Sequence, residues 1–159
     1  MTRIHVRPGR PFDAGAMAAL LNAIIARGGS TAFTTPVTGD VLRDWMAAGD
    51  AWHVAEQDGD VIGFQWVGPH ADLPADTCDI ATFVALDRHG LGVGSALFDA
   101  SRRAARDRGY RFIVAVIRAD NAGGLAYYGS RGFEITRHLP SQRLDDGTTV
   151  DKVLTSYRL

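Results

Sequence analysis

Asp79-Ile-Ala-Thr-Phe-Val-Ala-Leu-Asp-Arg-His-Gly-Leu-Gly-Val-Gly-Ser-Ala-Leu-Phe98 is the stretch on which the rest of the chain depends. It opens as an apolar strand ending near Ala85. It turns through a loop carrying Gly90, Gly92 and Gly94, and continues as a helix from about Gly94–Ser95. Glycines let a backbone approach a ligand closely, and the unpaired N–H groups of a first helical turn point at it, so this order of elements is an anion-binding device. Two common phosphate motifs do not fit. The dinucleotide fingerprint G-x-G-x-x-G/A ends on Ser95 when counted from Gly90 and on Leu97 when counted from Gly92. A P-loop needs Gly-Lys-Ser/Thr, and the only lysine is Lys152.

Downstream, the helix carries Val93, Leu97, Ala100 and Ala104 on its core side to about Arg108, and Gly109 closes it. Phe112 to Ile117 is an unbroken apolar run, the pattern of a strand buried on both faces. Asn121 opens another helix through about Arg131, and Gly132-Phe133 ends it. Phe133–Leu139 and Thr148–Tyr157 read as two last strands around Asp145-Asp146-Gly147.

Upstream, Ala51–Gln57, Asp58-Gly59 and Val61–Val67 form a hairpin, because Asp-Gly between apolar runs is a strong turn signal. Arg3–Arg7 alternates as a first strand. Asp13 is the expected N-cap of a helix whose stripe is Met17, Leu20, Leu21 and Ile24, ended by Gly28-Gly29. Ser30–Val37 is a Thr-rich loop. A short helix follows from Gly39 to Ala48, with Thr38 as cap and Val41, Leu42 and Trp45 on its buried side. The order β-α-α-β-β-β-α-β-α-β-β, without repeat or linker, predicts one α/β domain over residues 1–159: a mixed sheet with helices on both faces.

Composition narrows the function classes. The chain has 159 residues, 46% hydrophobic and 22% charged, with a net charge of −1. Nothing in that balance attracts nucleic acid or an anionic membrane. Cys78 is the only cysteine, so no intrachain disulfide forms. No apolar run reaches membrane-spanning length and no signal-peptide core opens the chain, so a cytoplasmic protein is expected. The five histidines show no metal-ligand spacing, and no metal is expected.

Two motifs together carry a resemblance. Phe83-Val84-Ala85 followed by His89-Gly-Leu-Gly92-Val-Gly94 is similar to the strand, Arg/Gln-x-x-Gly-x-Gly/Ala and helix of the GNAT superfamily of acyl-CoA N-acyltransferases. Asn121 followed by Tyr128-Gly-Ser-Arg-Gly132-Phe133 resembles its second motif, Asn and then Tyr-x-x-x-Gly-Phe. The resemblance spans nearly the whole chain, and the Thr-rich loop with Pro36–Trp45 looks most like the phosphinothricin acetyltransferase-like branch. It implies a mostly antiparallel sheet with a splayed pair of parallel central strands, acetyl-CoA as co-substrate, a small-molecule amine as acceptor and a homodimer. It also implies that the backbone from Gly90 through Leu91, Gly92, Val93 and Gly94 to Ser95 holds the pyrophosphate. Pantetheine would lie along Phe83–Ala85, and the Val84 N–H would polarise the thioester carbonyl. The family's usual Arg or Gln is His89 here, with Arg88 beside it.

The resemblance assigns Tyr128 as general acid; the alternative is a core tyrosine, with Tyr127 as the other candidate for that packing role. Asp79, five residues before Val84, stands where the phosphinothricin-like branch carries a glutamate thought to deprotonate the amine. An Asp is one methylene shorter, so a bridging water is expected, and the alternative is a carboxylate capping the strand start. Glu56 is the second candidate base, and His53 and His70 are weaker ones. Phe33, Thr34 and Trp66 are expected to line the acceptor site, while Trp45 has helix-core spacing. Cys78 reads as a buried strand residue. A non-catalytic acyl-CoA sensor and a protein N-acetyltransferase are the competing readings.

Overall fold

Seven strands form one sheet in the order β1-β2-β3-β4-β5-β7-β6 in the computed structural model, which describes residues 3–48 and 50–159. In chain order the elements are β1 (His5–Pro8), α1 (Ala14–Arg27), α2 (Gly39–Ala47), β2 (Ala51–Gln57), β3 (Asp60–Gly68), β4 (Thr77–Val84), α3 (Val93–Asp107), β5 (Phe112–Arg118), α4 (Ala122–Ser130), β6 (Glu134–Arg143) and β7 (Thr149–Arg158). The expected element order holds throughout. Only β4 and β5 are parallel, and every other neighbouring pair is antiparallel. The β2–β3 hairpin turns on Asp58 (φ 54°) and Gly59 (φ 82°), the two positive φ values that a type I′ turn requires.

Strand alternation sorts side chains onto two faces. Trp52, Val54, Phe64 and Phe83 pack against Met17, Leu21 and Ile24 of α1 and Leu42 of α2. Cys78, Ile80, Ile113, Ala115 and Ile117 face the other way, against Phe98 and Ala105 of α3 and Tyr128 of α4. Val93 and Leu97 seat the start of α3 on Ala55 and Ile62.

Three expectations change. Asp13 does not cap α1 through its side chain. Its backbone is already helical at φ −77°, within a 3₁₀ turn at Pro11–Asp13. Its carboxylate instead accepts two hydrogen bonds from Arg7, both at 2.8 Å, and one from the Arg10 N–H. Two charge-assisted bonds between a guanidinium and a carboxylate outweigh the single bond that a cap would make. Val116 of β5 is 45% exposed rather than buried, because it faces the α1–α2 side where β4 has diverged from β5. The sixth strand, expected to end at Leu139, continues to Arg143: Pro140 sits at a register shift on an edge strand, where a missing donor is tolerated.

Candidate active site

The site begins where the central sheet opens. β4 and β5 pair only from Thr77–Asp79 to Phe112–Val114, and beyond Asp79 the two strands part. On its other edge β4 stays paired to β3, and the Ala85 N–H donates to the Ile62 carbonyl at 2.9 Å. Backbone groups alternate direction along an antiparallel strand. Ala85 and Phe83 therefore serve β3, and the N–H and C=O groups of Val84 and Thr82 turn into the gap. The His89 ring reaches this edge: its Nε2–H donates to the Val84 carbonyl at 3.2 Å. A histidine at the motif's first position thus contacts the strand end.

At the mouth of the gap lies the glycine loop. Gly90 (φ 80°) and Gly92 (φ 82°) adopt left-handed backbone that other residues rarely enter. The first helical bond of α3 runs from the Ala96 N–H to the Gly92 carbonyl, so the N–H groups of Val93, Gly94 and Ser95 precede the ladder. The Val93 side chain is buried in the core, so any ligand contact there is made by its backbone, while Leu91 is exposed. Arg131 donates to the Ser95 hydroxyl and lies 4.5 Å from the centre of the Tyr127 ring. The loop ends against that ring. A Cβ added at Gly94 would stand 2.5 Å from Tyr127 Cε1, whereas at Gly123 in α4 the nearest atom is 3.8 Å away. Gly94→Ala is therefore expected to destabilise the fold by about 1–3 kcal/mol, and Gly123→Ala to be neutral or stabilising, in urea melts of the two variants.

The candidate acid and base flank the gap from opposite faces. Tyr128 is buried, and its hydroxyl lies 2.8 Å from Thr82 Oγ1. Burial pushes its phenol well above the ordinary range, against the opposing effect of the Thr82 hydrogen bond. Asp79 sits on the α1–α2 face at the last paired row of β4. Burial raises its carboxyl to about 6, against the opposing effects of His70 and of the Ile80 N–H at 3.0 Å, while Asp50 adds to the rise. Five strand residues separate Asp79 from Val84, roughly 16 Å at 3.3 Å per residue. One small acceptor cannot touch both, so proton transfer to Asp79 requires water.

The other candidates are placed elsewhere. Glu56 lies on β2, 3.4 Å from Arg7 Nη2. Burial, with Arg103 and Arg108, pushes the His53 imidazole below its ordinary range. His70 is near Asp79, with its Nδ1 accepting from the Asp72 N–H at 3.1 Å. Cys78 is buried and its thiol is pushed up to about 12, first by burial, which leaves it a packing residue.

An aromatic wall stands on the Asp79 face. Phe33 stacks on Trp45 at 5.4 Å and meets Phe83 at 6.3 Å. Trp66 lies 6.1 Å from Trp45 and 5.8 Å from Phe83. Trp45 packs against the α1–α2 core as its spacing implies, and its half-buried ring also joins this wall, because the loop brings Phe33 onto it. The loop is fixed at both ends. Asn22 exchanges two hydrogen bonds with the Val37 backbone, at 2.7 and 2.8 Å, and Arg118 donates to the Thr31 carbonyl at 3.2 Å. Asn121 caps α4 through the Gly124 N–H and donates to the Ser30 carbonyl, so its side chain is engaged in holding the loop. A 360 Å³ cavity opens beside the loop, lined by Thr31, Phe33, Thr34, Arg118, Asp146 and Thr148, and the buried Thr34 hydroxyl has no partner among the described residues. A larger cavity of 540 Å³, bounded by Arg43, Met46, Ala104 and Arg108, includes only His53 among the candidate residues.

The acetyltransferase (GNAT) family pattern matches residues 15–133. The chain belongs to the GNAT family. A mycothiol acetyltransferase of Amycolatopsis mediterranei is 36% identical over 108 residues, which is 64% of this chain and 35% of that protein. The chain thus spans about a third of the length of the mycothiol acetyltransferases it matches. The L-amino acid N-acyltransferase MnaT of Escherichia coli is 26% identical over 162 residues, covering 98% of this chain and 94% of MnaT. A phosphinothricin acetyltransferase from Sinorhizobium meliloti, solved in complex with acetyl-CoA, shares the fold with a TM-score of 0.88 and 19% identity, over 98% of this chain and 88% of that one.

Within this GNAT domain, four residues absent from the sequence expectations join the site: Gln65, Thr82, Arg131 and, in its new role, Trp45. Gln65 carried a signal, since it is a lone amide inside the apolar run Val61–Val67 and is fully buried. Arg131 and Thr82 carried none. Their relevance arises only once α4 lies across the gap.

Proposed function

We propose that this protein is an N-acetyltransferase that moves the acetyl group of acetyl-CoA to the primary amine of a small, amino-acid-like molecule. The observation that carries the reading is the opened β4–β5 edge leading from the Gly90–Ser95 loop to the buried hydroxyl of Tyr128. In this reading the loop N–H groups bind the pyrophosphate and Arg131 adds charge beside them. Pantetheine lies along the gap-facing backbone of Thr82 and Val84. The Val84 N–H donates to the thioester carbonyl as charge develops on its oxygen.

The amine nitrogen attacks the thioester carbon in a ternary complex and the C–S bond breaks. Asp79, through water, takes the proton that the nitrogen loses. Tyr128 gives a proton to the departing sulfur. Phe33, Trp45 and Trp66 enclose the acceptor beside Thr34. The acceptor class is supported by the name of MnaT, an L-amino acid N-acyltransferase that matches nearly end to end. The reading takes the chain as a cytoplasmic homodimer with no nucleic-acid partner; among the described residues, no helix is long and apolar enough to cross a membrane.

Titration calorimetry with acetyl-CoA, followed by thiol release across a panel of amino acids and their analogues, tests it. Binding heat is expected, together with CoA release that depends on the amine. Binding without release from any amine would identify an acyl-CoA sensor instead, and absence of binding would overturn the reading altogether.

A further inference from the structure

A chain of buried hydrogen bonds runs from the glycine loop to Tyr128, and its directions are fixed from one end as far as Thr82. The Gly94 carbonyl has no proton to give, so the Tyr127 hydroxyl, 2.7 Å away, donates to it. Tyr127 has one proton. Its oxygen therefore offers only lone pairs to Gln65, at 3.2 Å, and the atom of the Gln65 amide facing it must be Nε2. The same Nε2 has a second hydrogen, and it lies 2.7 Å from Thr82 Oγ1. Thr82 therefore accepts from Gln65 and keeps its own proton for a phenol oxygen; the Tyr128 oxygen lies 2.8 Å away, where either hydroxyl can donate, and the Tyr127 phenol is its other neighbour.

Gln65 Oε1 supports this assignment. It is buried with no partner among the described residues, although the amide could turn it toward either hydroxyl. A buried orphan acceptor is costly, and the donor demand set by Gly94 accounts for it.

We infer that Gln65 and Thr82 are positioning residues that set Tyr128 as a proton donor: the chain Gly94 C=O, Tyr127, Gln65 and Thr82 delivers a hydrogen bond to the Tyr128 oxygen and leaves its own proton unengaged toward the gap. The inference rests on the assignment of Tyr128 as the acid. During transfer the O–H bond of Tyr128 breaks and an S–H bond forms on the departing thiolate. The phenolate left behind accepts the Thr82 hydrogen bond, which strengthens as charge develops. The proton of Thr82 stays on Thr82, and solvent reprotonates Tyr128 as product leaves. The chain starts on a carbonyl of the loop proposed to hold pyrophosphate, so the order of that loop and the polarity of the acid are one network.

Thr82→Val and Gln65→Met keep side-chain volume and remove the hydrogen bonds. Each is expected to lower kcat by roughly tenfold, the worth of one hydrogen bond, with KM for acetyl-CoA little changed. Thr82→Ser, which restores the hydroxyl, should recover most of that loss. Added to Tyr128→Phe, either change should cost nothing further, because the proton it orients is gone. Thermal melts and acetyl-CoA titration of each variant establish that it is folded and loads its co-substrate. Full turnover in both Thr82→Val and Gln65→Met, with Tyr128→Phe impaired, would overturn the chain and leave the acid in place. Full turnover in Tyr128→Phe would overturn the acid itself. If Gln65→Met does not fold, Thr82→Val against Thr82→Ser decides the question.

Discussion

Tyr128→Phe is expected to lower turnover by about 100-fold while acetyl-CoA still binds. General acids contribute about 10²–10⁴-fold, and two features place this case at the low end. The leaving group is a thiolate, whose conjugate acid has a pKa of roughly 8.5 and which can depart without complete proton transfer. The Val84 N–H, proposed to stabilise the oxyanion, is untouched by the change. Binding is preserved because Tyr128 is seated behind Thr82, on the α4 side of the gap, and the Gly90–Ser95 loop takes its shape from Gly90, Gly92 and the Tyr127 ring. Stability should fall by only about 1 kcal/mol, since one neutral hydrogen bond to Thr82 is lost and the ring stays in place against Phe133. Steady-state rates with a saturating amine, read beside an acetyl-CoA titration, check all three statements. Unchanged turnover would remove Tyr128 from the mechanism and leave Tyr127 or solvent as the proton source.

The elements were legible in the sequence because their signals are local. Asp58-Gly59 fixes a turn, Thr38 caps α2 through the Val41 N–H at 3.2 Å, and glycine loops and apolar runs mark strand and helix ends. Asp79 and Tyr128 were proposed from motif position, and the structure sets them on opposite faces of the gap. What was not legible depends on relations between elements. Trp45 meets Phe33 because the loop lays that ring on it, and no periodicity within α2 encodes the contact. Asn121, the first residue of the second motif, here joins α4 to Ser30, 91 positions earlier. The Gln65–Thr82–Tyr128 chain spans β3, β4 and α4, and only the sheet register brings those three side chains together. His89 is an intermediate case. Its place in the motif was clear, but its contact with the Val84 carbonyl follows from the turn geometry.

The Asp79 carboxyl gives the second large effect, and it appears in two observables of opposite sign. Burial raises its folded pKa to about 6, above an unfolded value near 3.9. Between those two values the folded chain keeps a proton that the unfolded chain has released, so stability falls as pH rises from about 4 to about 6 and is level beyond. Asparagine removes this penalty and can still accept the Ile80 N–H. Asp79→Asn should therefore stabilise the protein at pH 7–8 by on the order of 2 kcal/mol, allowing for partial exposure, and make no difference near pH 3.5. The same substitution should lower kcat/KM at neutral pH by about 100-fold, because the attacking nitrogen loses its proton acceptor. It should also abolish the acidic limb near pH 6. Acceptors also titrate, so two amines of different pKa are compared: a limb that moves with the amine belongs to the acceptor, and one that stays near 6 belongs to Asp79. A variant both more stable and less active is expected of a charge held at a cost for chemistry. A carboxylate that merely anchors the start of β4 predicts the reverse, lower stability with unaltered rates, and that outcome would return Asp79 to a structural role.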